Sequence, residues 1–238
     1  MVLAVAEKKD TPKPVAEAPQ VVVNPHQLEK QEGLWYFEGK AFTGIVVKKY
    51  DNRQKAYEST LKDGKEHGRV TSWYRDGQKQ GEVTYKDGKL VSQAVWKPNG
   101  EKCPVTNIVN GNGITCRYYE NGQKAYEITY KDNNFDGLWT DWYENGQKKK
   151  EATYKDGKMD GLCTRWLDNG QKQGEASYKK GKRHGTEIYF YFEDGPKRWE
   201  TPWVNGQKHG TAITYNEDGS KFREVVYENG EEISKKNY

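Results

Sequence analysis

Two kinds of glycine turn alternate along this chain at nearly constant spacing, and only a fold with an internal period accommodates that. The first turn reads Tyr-Glu-Asn-Gly-Gln-Lys at Tyr119 to Lys124 and again at Tyr143 to Lys148. Degenerate copies end at Gly77, Gly100, Gly170, Gly195 and Gly219, and Arg53 holds the equivalent place in the first unit; successive spacings from Arg53 are 24, 23, 22, 24, 24, 25 and 24. A second turn lies midway between these, as in Lys62-Asp-Gly-Lys-Glu-His-Gly68, Lys155-Asp-Gly-Lys-Met-Asp-Gly161, Lys179-Lys-Gly-Lys-Arg-His-Gly185 and Val204-Asn-Gly-Gln-Lys-His-Gly210. A fixed period of this length is the mark of a repeat architecture.

Asn-Gly and Asp-Gly supply the positive φ values of a type I′ turn, whose twist matches that of right-handed strands. About ten residues separate one turn from the next, room for one strand, and the flanks are rich in Thr, Val, Tyr and Trp, which suit a pleated surface. Each unit is therefore read as two antiparallel strands. A hairpin this small cannot bury a face alone, so neighbours must stack edge to edge. The expected fold is all-β: an elongated, single-layer antiparallel sheet of about eight tandem β-hairpins, roughly sixteen strands. The body spans residues 31–238, with a degenerate unit at 90–113, where Lys97-Pro98-Asn99-Gly100 and Asn110-Gly-Asn-Gly113 replace the usual turns and Pro104 removes a ladder donor. A bulge or bend is expected there.

Composition agrees. Only 33% of residues are hydrophobic against 31% charged, so long aliphatic runs for a two-layer core are missing; 17 Tyr, 8 Trp and 6 Phe stand in their place. Disordered chains are poor in aromatics, which excludes disorder for the body. The net charge of +4 is small and dispersed rather than concentrated on one element, so no nucleic-acid partner is expected.

Indexing each unit by its Asn-Gly glycine exposes four rows. Four places earlier stand Trp73, Trp96, Tyr118, Trp142, Trp166, Tyr191 and Tyr215, the candidate aromatic binding row. Two places later runs a basic row that includes Lys124, Lys148 and Lys172; five later, a Glu row from Glu58 to Glu224; eight later, a second aromatic row of Tyr85, Tyr130, Tyr154, Tyr178, Trp203 and Tyr227. A two-residue turn at this glycine would pair four-before with three-after. The first aromatic row then shares a face with the Glu row, and the Lys row shares the other with the second aromatic row. Both aromatic rows read as ladders covering the sheet. The first also reads as a stripe able to hold a peptide, a glycan or lipid headgroups.

Nothing approaches the eighteen or so apolar residues of a membrane span. Residues 1–30 read as a flexible tether rich in Pro, Lys and Glu. Ala4-Val5-Ala6 has the small-x-small form of a signal cleavage site, so an exported or surface-held protein and a cytoplasmic one are both open readings. Cys103 and Cys116 lie on neighbouring strands about three residues from opposite, which leaves their bridging open. His184 and His209 recur one unit apart, roughly 10 Å in a sheet, too far to share a zinc ion. No metal, cofactor or catalytic constellation is read, and short turns offer no loop to carry one.

The Tyr-x-Asp-Gly-Lys-x-x-Gly turn, followed half a repeat later by Tyr-Glu-Asn-Gly-Gln-Lys, resembles the bacterial variant of the MORN repeat over about residues 33–238, most clearly over Tyr119–Gly185. The resemblance departs from the family's pattern at Leu90-Val-Ser-Gln93 and at Arg53. It implies an elongated single-sheet array, no enzyme, and roles in scaffolding, in membrane or phospholipid association, or as an antitoxin. The leading expectation is a protein-interaction scaffold with an unidentified protein partner, antitoxin-like in covering that partner. The alternative is a peripheral module binding anionic lipid or an envelope component through Lys124, Lys148 and Lys172.

Overall fold

The computed structural model describes residues 21–191 and 195–238, so Ala4-Val5-Ala6 and most of the expected tether lie outside it. The body is a succession of antiparallel hairpins in two long sheets, with a further small three-stranded sheet of Glu29–Gln31, Leu34–Phe37 and Lys40–Ala41. One, of six strands, runs from Val22–Val23 and Gly44–Lys49 through Lys55–Lys62, Lys65–Trp73 and Lys79–Lys86 to Lys89–Val95. The other, of twelve strands, runs from Gly113–Tyr118 to Glu231–Asn237.

The two turns differ in kind. At the Asp-Gly turn both central residues have positive φ (Asp156 +48°, Gly157 +75°), and Lys155 pairs with Lys158. This is the expected type I′ geometry. The Asn-Gly turn is different. Gly146 (φ +85°) donates its N–H to the Tyr143 carbonyl at 2.9 Å, and Tyr143 donates to the Gln147 carbonyl at 2.8 Å. Asn145 stays at negative φ, its side chain accepting from the Gln147 N–H at 3.0 Å. This is a type I turn closed by a glycine bulge. Arg53 takes the same left-handed conformation, φ +67°, in the first unit.

That one extra residue changes the expected sorting of rows in one respect, the face of the Lys row. Trp142 pairs with Lys148, two places after the glycine, and a further slip makes Asp141 pair with Lys150, leaving Lys149 bulged. Parity is restored beyond it, so Thr140 opposes Glu151 and Leu138 opposes Thr153. The Trp, Lys and Glu rows thus share one face, termed here the belt face, and the Lys row does not share the second aromatic row's face. On the opposite, tyrosine face, Tyr154 lies with Trp139 and Phe135.

Burial is thin, as a one-layer sheet requires. Small residues such as Ala152, Cys163 and Ala176 line the centre of the tyrosine face and are buried under the larger rings beside them. Tyr130, Phe135, Trp139 and Tyr154 form a continuous cluster with centroids 4.9–5.8 Å apart. Rings from intervening strands fill the gaps that like positions, two strands apart, leave between them. The hairpins are also tied along their turn edge. The hydroxyls of Tyr50, Tyr74, Tyr119, Tyr143 and Tyr191 each donate to the backbone carbonyl of an aromatic residue in the next unit, at 2.7–3.0 Å.

The degenerate unit is more than a bend, since no strand spans residues 96–112 and only isolated bridges such as Trp96 with Lys102 remain. The sheets are stitched across it by Asn133, whose side-chain oxygen accepts from the Leu90 N–H at 2.7 Å. Cys103 and Cys116 are joined as a disulfide, Cα atoms 7.5 Å apart, in a small cluster with Val95 and Tyr118; Cys163 is a buried free thiol.

At the other end, Val21 to Lys30, assigned to the tether from sequence, is built into the fold. Val22–Val23 adds a parallel strand to Gly44–Lys49, and Val23 packs with Phe42, Val46 and Leu61, with Leu28, Trp35 and Phe37 against them. The Val22–Val23 strand covers an otherwise bare sheet edge by pairing with it, and Val23 and Leu28 supply its apolar packing.

Candidate binding face

On the belt face each repeat assembles the same three groups. Lys124 pairs with Glu127 at 2.6 Å while its ammonium sits 5.1 Å from the centroid of Trp142, in the next hairpin. Lys148 pairs with Glu151 at 2.6 Å and lies over Trp166 at 5.7 Å. Lys79 pairs with Glu82 at 2.9 Å and lies over Trp96 at 5.1 Å; Lys55 lies over Trp73 at 5.7 Å and pairs with Glu58. Lys172 is paired with Glu175 in the same way. The hydrogen bond from Lys79 holds the Glu82 carboxyl below its ordinary range. Each exposed pair contributes little to stability. Its effect is to neutralise the row and to fix the ring beneath the ammonium.

The predicted aromatic row is only partly one site. Trp73, Trp96, Trp142, Trp166 and Tyr215 occupy the belt, Tyr215 giving its hydroxyl to Glu200 at 2.6 Å. Burial, reinforced by that carboxylate, pushes the Tyr215 phenol up to about 12. Tyr118 is buried in the degenerate unit and donates to Cys103 Sγ at 3.2 Å. Tyr191 is not in the belt. The turn following it is one residue longer, so Phe190 pairs with Lys197 in the belt register and Tyr191 joins the turn tyrosines. The 25-residue spacing between Gly170 and Gly195 was the signal for that shift.

Beside the belt, on the same face, runs a stripe that position counting missed. The cross-strand pairs Ile114–Thr129, Leu138–Thr153, Leu162–Ser177, Thr186–Pro202 and Thr211–Val226 carry no charge. Ten strands at about 4.8 Å give it a length of roughly 43 Å. Leu138 and Leu162 are half exposed, at 47% and 49%. Glycine keeps the stripe tight against the next hairpin: Gly161 has φ +127°, and a Cβ there would stand 3.1 Å from the Cβ of Thr153.

The repeated residue before each such glycine is a linker. His67 Nδ1 accepts from the Asp87 N–H at 3.4 Å, His184 from Asn205 at 3.5 Å and His209 from Asn229 at 3.4 Å; Asp136 and Asp160 do the same for Asp156 and Lys180 at 3.2 Å. The recurrence of His-Gly is thereby explained as capping of the neighbouring turn.

No curated protein matches the chain. Five of its segments, residues 66–87, 112–132, 135–156, 159–180 and 208–229, each a strand, a glycine-bulge turn and a second strand, match the MORN repeat variant family.

Proposed function

We propose that the chain is a non-catalytic scaffold that binds a protein partner through the belt face. The observation that carries this is the uncharged stripe of Leu138, Thr153, Leu162 and Ser177 lying beside tryptophans whose rings are already held by Lys–Glu pairs. Exposed apolar side chains supply area to bury, and rings fixed before binding lose little rotamer freedom on it. Trp is also the residue type in which interface energy concentrates.

The same geometry speaks against the anionic-lipid alternative. A membrane-binding basic row needs free charge, and Lys124, Lys148 and Lys172 each sit against a carboxylate. The antitoxin-like role, in which the partner is blocked by being covered, rests on the family resemblance; no residue of this face adds to it. The test is affinity capture by the full chain, compared with Leu138→Glu/Leu162→Glu, two exposed positions where a carboxylate leaves folding intact. One stoichiometric protein, lost in the variant, is expected. A partner retained undiminished by the variant refutes the assignment of the face, and retention of lipid alone refutes the protein-binding reading.

A further inference from the structure

The belt neutralises its own cations, but in one group of cations elsewhere the carboxylates are outnumbered. Where the two sheets meet lies an open cleft of about 490 Å³, lined by Lys48 and Tyr57 on the tyrosine face of the first sheet, by Lys49 and the turn residue Arg75 at its edge, and by Arg117 from the second sheet. Small residues make the room: Ser72 and Gly81 form one rung of this face, where the matching rungs of later repeats carry Arg165 with Gly174 and Asp141 with Lys150.

Charge in the cleft is one-sided. Arg117 is half-buried, and its guanidinium donates to a neutral group, the Gln80 side chain, at 2.8 Å. Among the described residues no carboxylate lies within ion-pair distance of Arg117, Lys48 or Lys49. Arg75 stands over the Tyr50 ring at 5.0 Å and reaches Glu120 across the junction at 3.7 Å, with both side chains more than half exposed. Counting Glu120 and the lining Asp51, cations outnumber carboxylates four to two. A half-buried guanidinium with only a neutral partner retains donors in the fork geometry that matches a carboxylate. An excess of like charge around a cleft also raises the local concentration of an anion.

We infer that this junction cleft receives an acidic peptide segment, its carboxylates held by Arg117 and Lys48 with Arg75 at the mouth. A peptide rather than a bilayer is the occupant because the half-buried Arg117 lies in a cleft between two sheets, where an extended chain enters and a flat surface does not, while Lys48, Lys49 and Arg75 stand exposed around it. The inference rests on the protein-binding reading and places a second, electrostatic contact on the opposite face.

The experiment is fluorescence anisotropy of a short labelled peptide of alternating glutamate and glycine, titrated with the full chain at low salt. Binding is expected to weaken steeply with added salt. It is expected to fall tenfold or more in Arg117→Gln and in Lys48→Gln/Lys49→Gln, whose positions are exposed and leave folding intact. Lys158→Gln, remote from the cleft, should bind as the parent does. Equal affinity in parent and cleft variants overturns the inference, as does an equal loss in Lys158→Gln. Tighter, cleft-dependent binding to phosphatidylglycerol vesicles than to the peptide overturns it in favour of a membrane. Should the Leu138→Glu/Leu162→Glu variant lose its captured partner while the cleft variants bind peptide normally, the cleft fails and the belt face stands. The converse result separates the two the other way.

Discussion

The hydroxyl of Tyr143 donates to the carbonyl of Trp166 at 3.0 Å, one of five equivalent bonds that clamp each turn to the next hairpin. Leu167 stands at the same repeat position and has no hydroxyl to give. Tyr143→Phe removes the bond and keeps the ring. The net loss for a partly buried neutral hydrogen bond is about 1 kcal/mol. For a protein of this size each kcal/mol corresponds to roughly 2–4 °C in Tm. Leu167→Tyr should restore the missing clamp toward Phe190 and raise stability by a similar amount. Replacing Tyr119, Tyr143 and Tyr191 together by Phe should cost about 3 kcal/mol, a large share of the 5–15 kcal/mol typical of a folded domain. Urea unfolding followed by tryptophan fluorescence measures each value, with the m-value checked for loss of cooperativity, to which stacked repeats are prone. A neutral Tyr143→Phe together with a destabilising Leu167→Tyr would refute the clamp, because the hydroxyl would then be solvated rather than tying hairpins together.

Three further outcomes follow from particular contacts. Burial pushes the Tyr74 phenol up to about 12 from 10.0, and burial beside Glu66 raises Tyr85 further still. A raised phenol loses its proton first in the unfolded chain, so this stability is full below pH 10 and lost as pH climbs through 12. Absorbance at 295 nm should therefore show a late-ionising class of tyrosines that merges with the rest on unfolding. Gly161→Ala should destabilise by about 1–3 kcal/mol, and more than Gly122→Ala, since Gly122 has φ +84° and open space around its absent Cβ. Thiol titration in denaturant should count one free cysteine, Cys163, before reduction and three after; three before reduction would remove the bridge.

The period, the hairpins and the type I′ turns at Asp-Gly were legible because each rests on local backbone preference. The faces of the Glu row and of the two aromatic rows were legible too, but the face of the Lys row was not, and the reason is specific. Asn-Gly serves both a two-residue type I′ turn and a type I turn with a glycine bulge; here the bulged turn, followed by a second slip at Lys149, changes the face of the lysine beside the turn and leaves the later residues in the expected register. The hint lay in the rows themselves, since an aromatic four before and a lysine two after are natural neighbours only if they share a face. Tyr191 was misplaced for the same kind of reason, a single inserted residue between Gly170 and Gly195. The break at 96–112 was visible as lost turn chemistry, but its consequence was not. Arg117, Arg75 and Lys48 are brought together only by how the two sheets meet, a long-range outcome that no repeat position encodes.

The most direct test of the protein-binding account is side-chain footprinting by hydroxyl radicals on the captured complex against the free chain. Protection is predicted at Trp142, Trp166, Leu138 and Leu162, with Trp139, Phe135 and Tyr154 on the opposite face unchanged. Protection of those three with the belt tryptophans left reactive would contradict it.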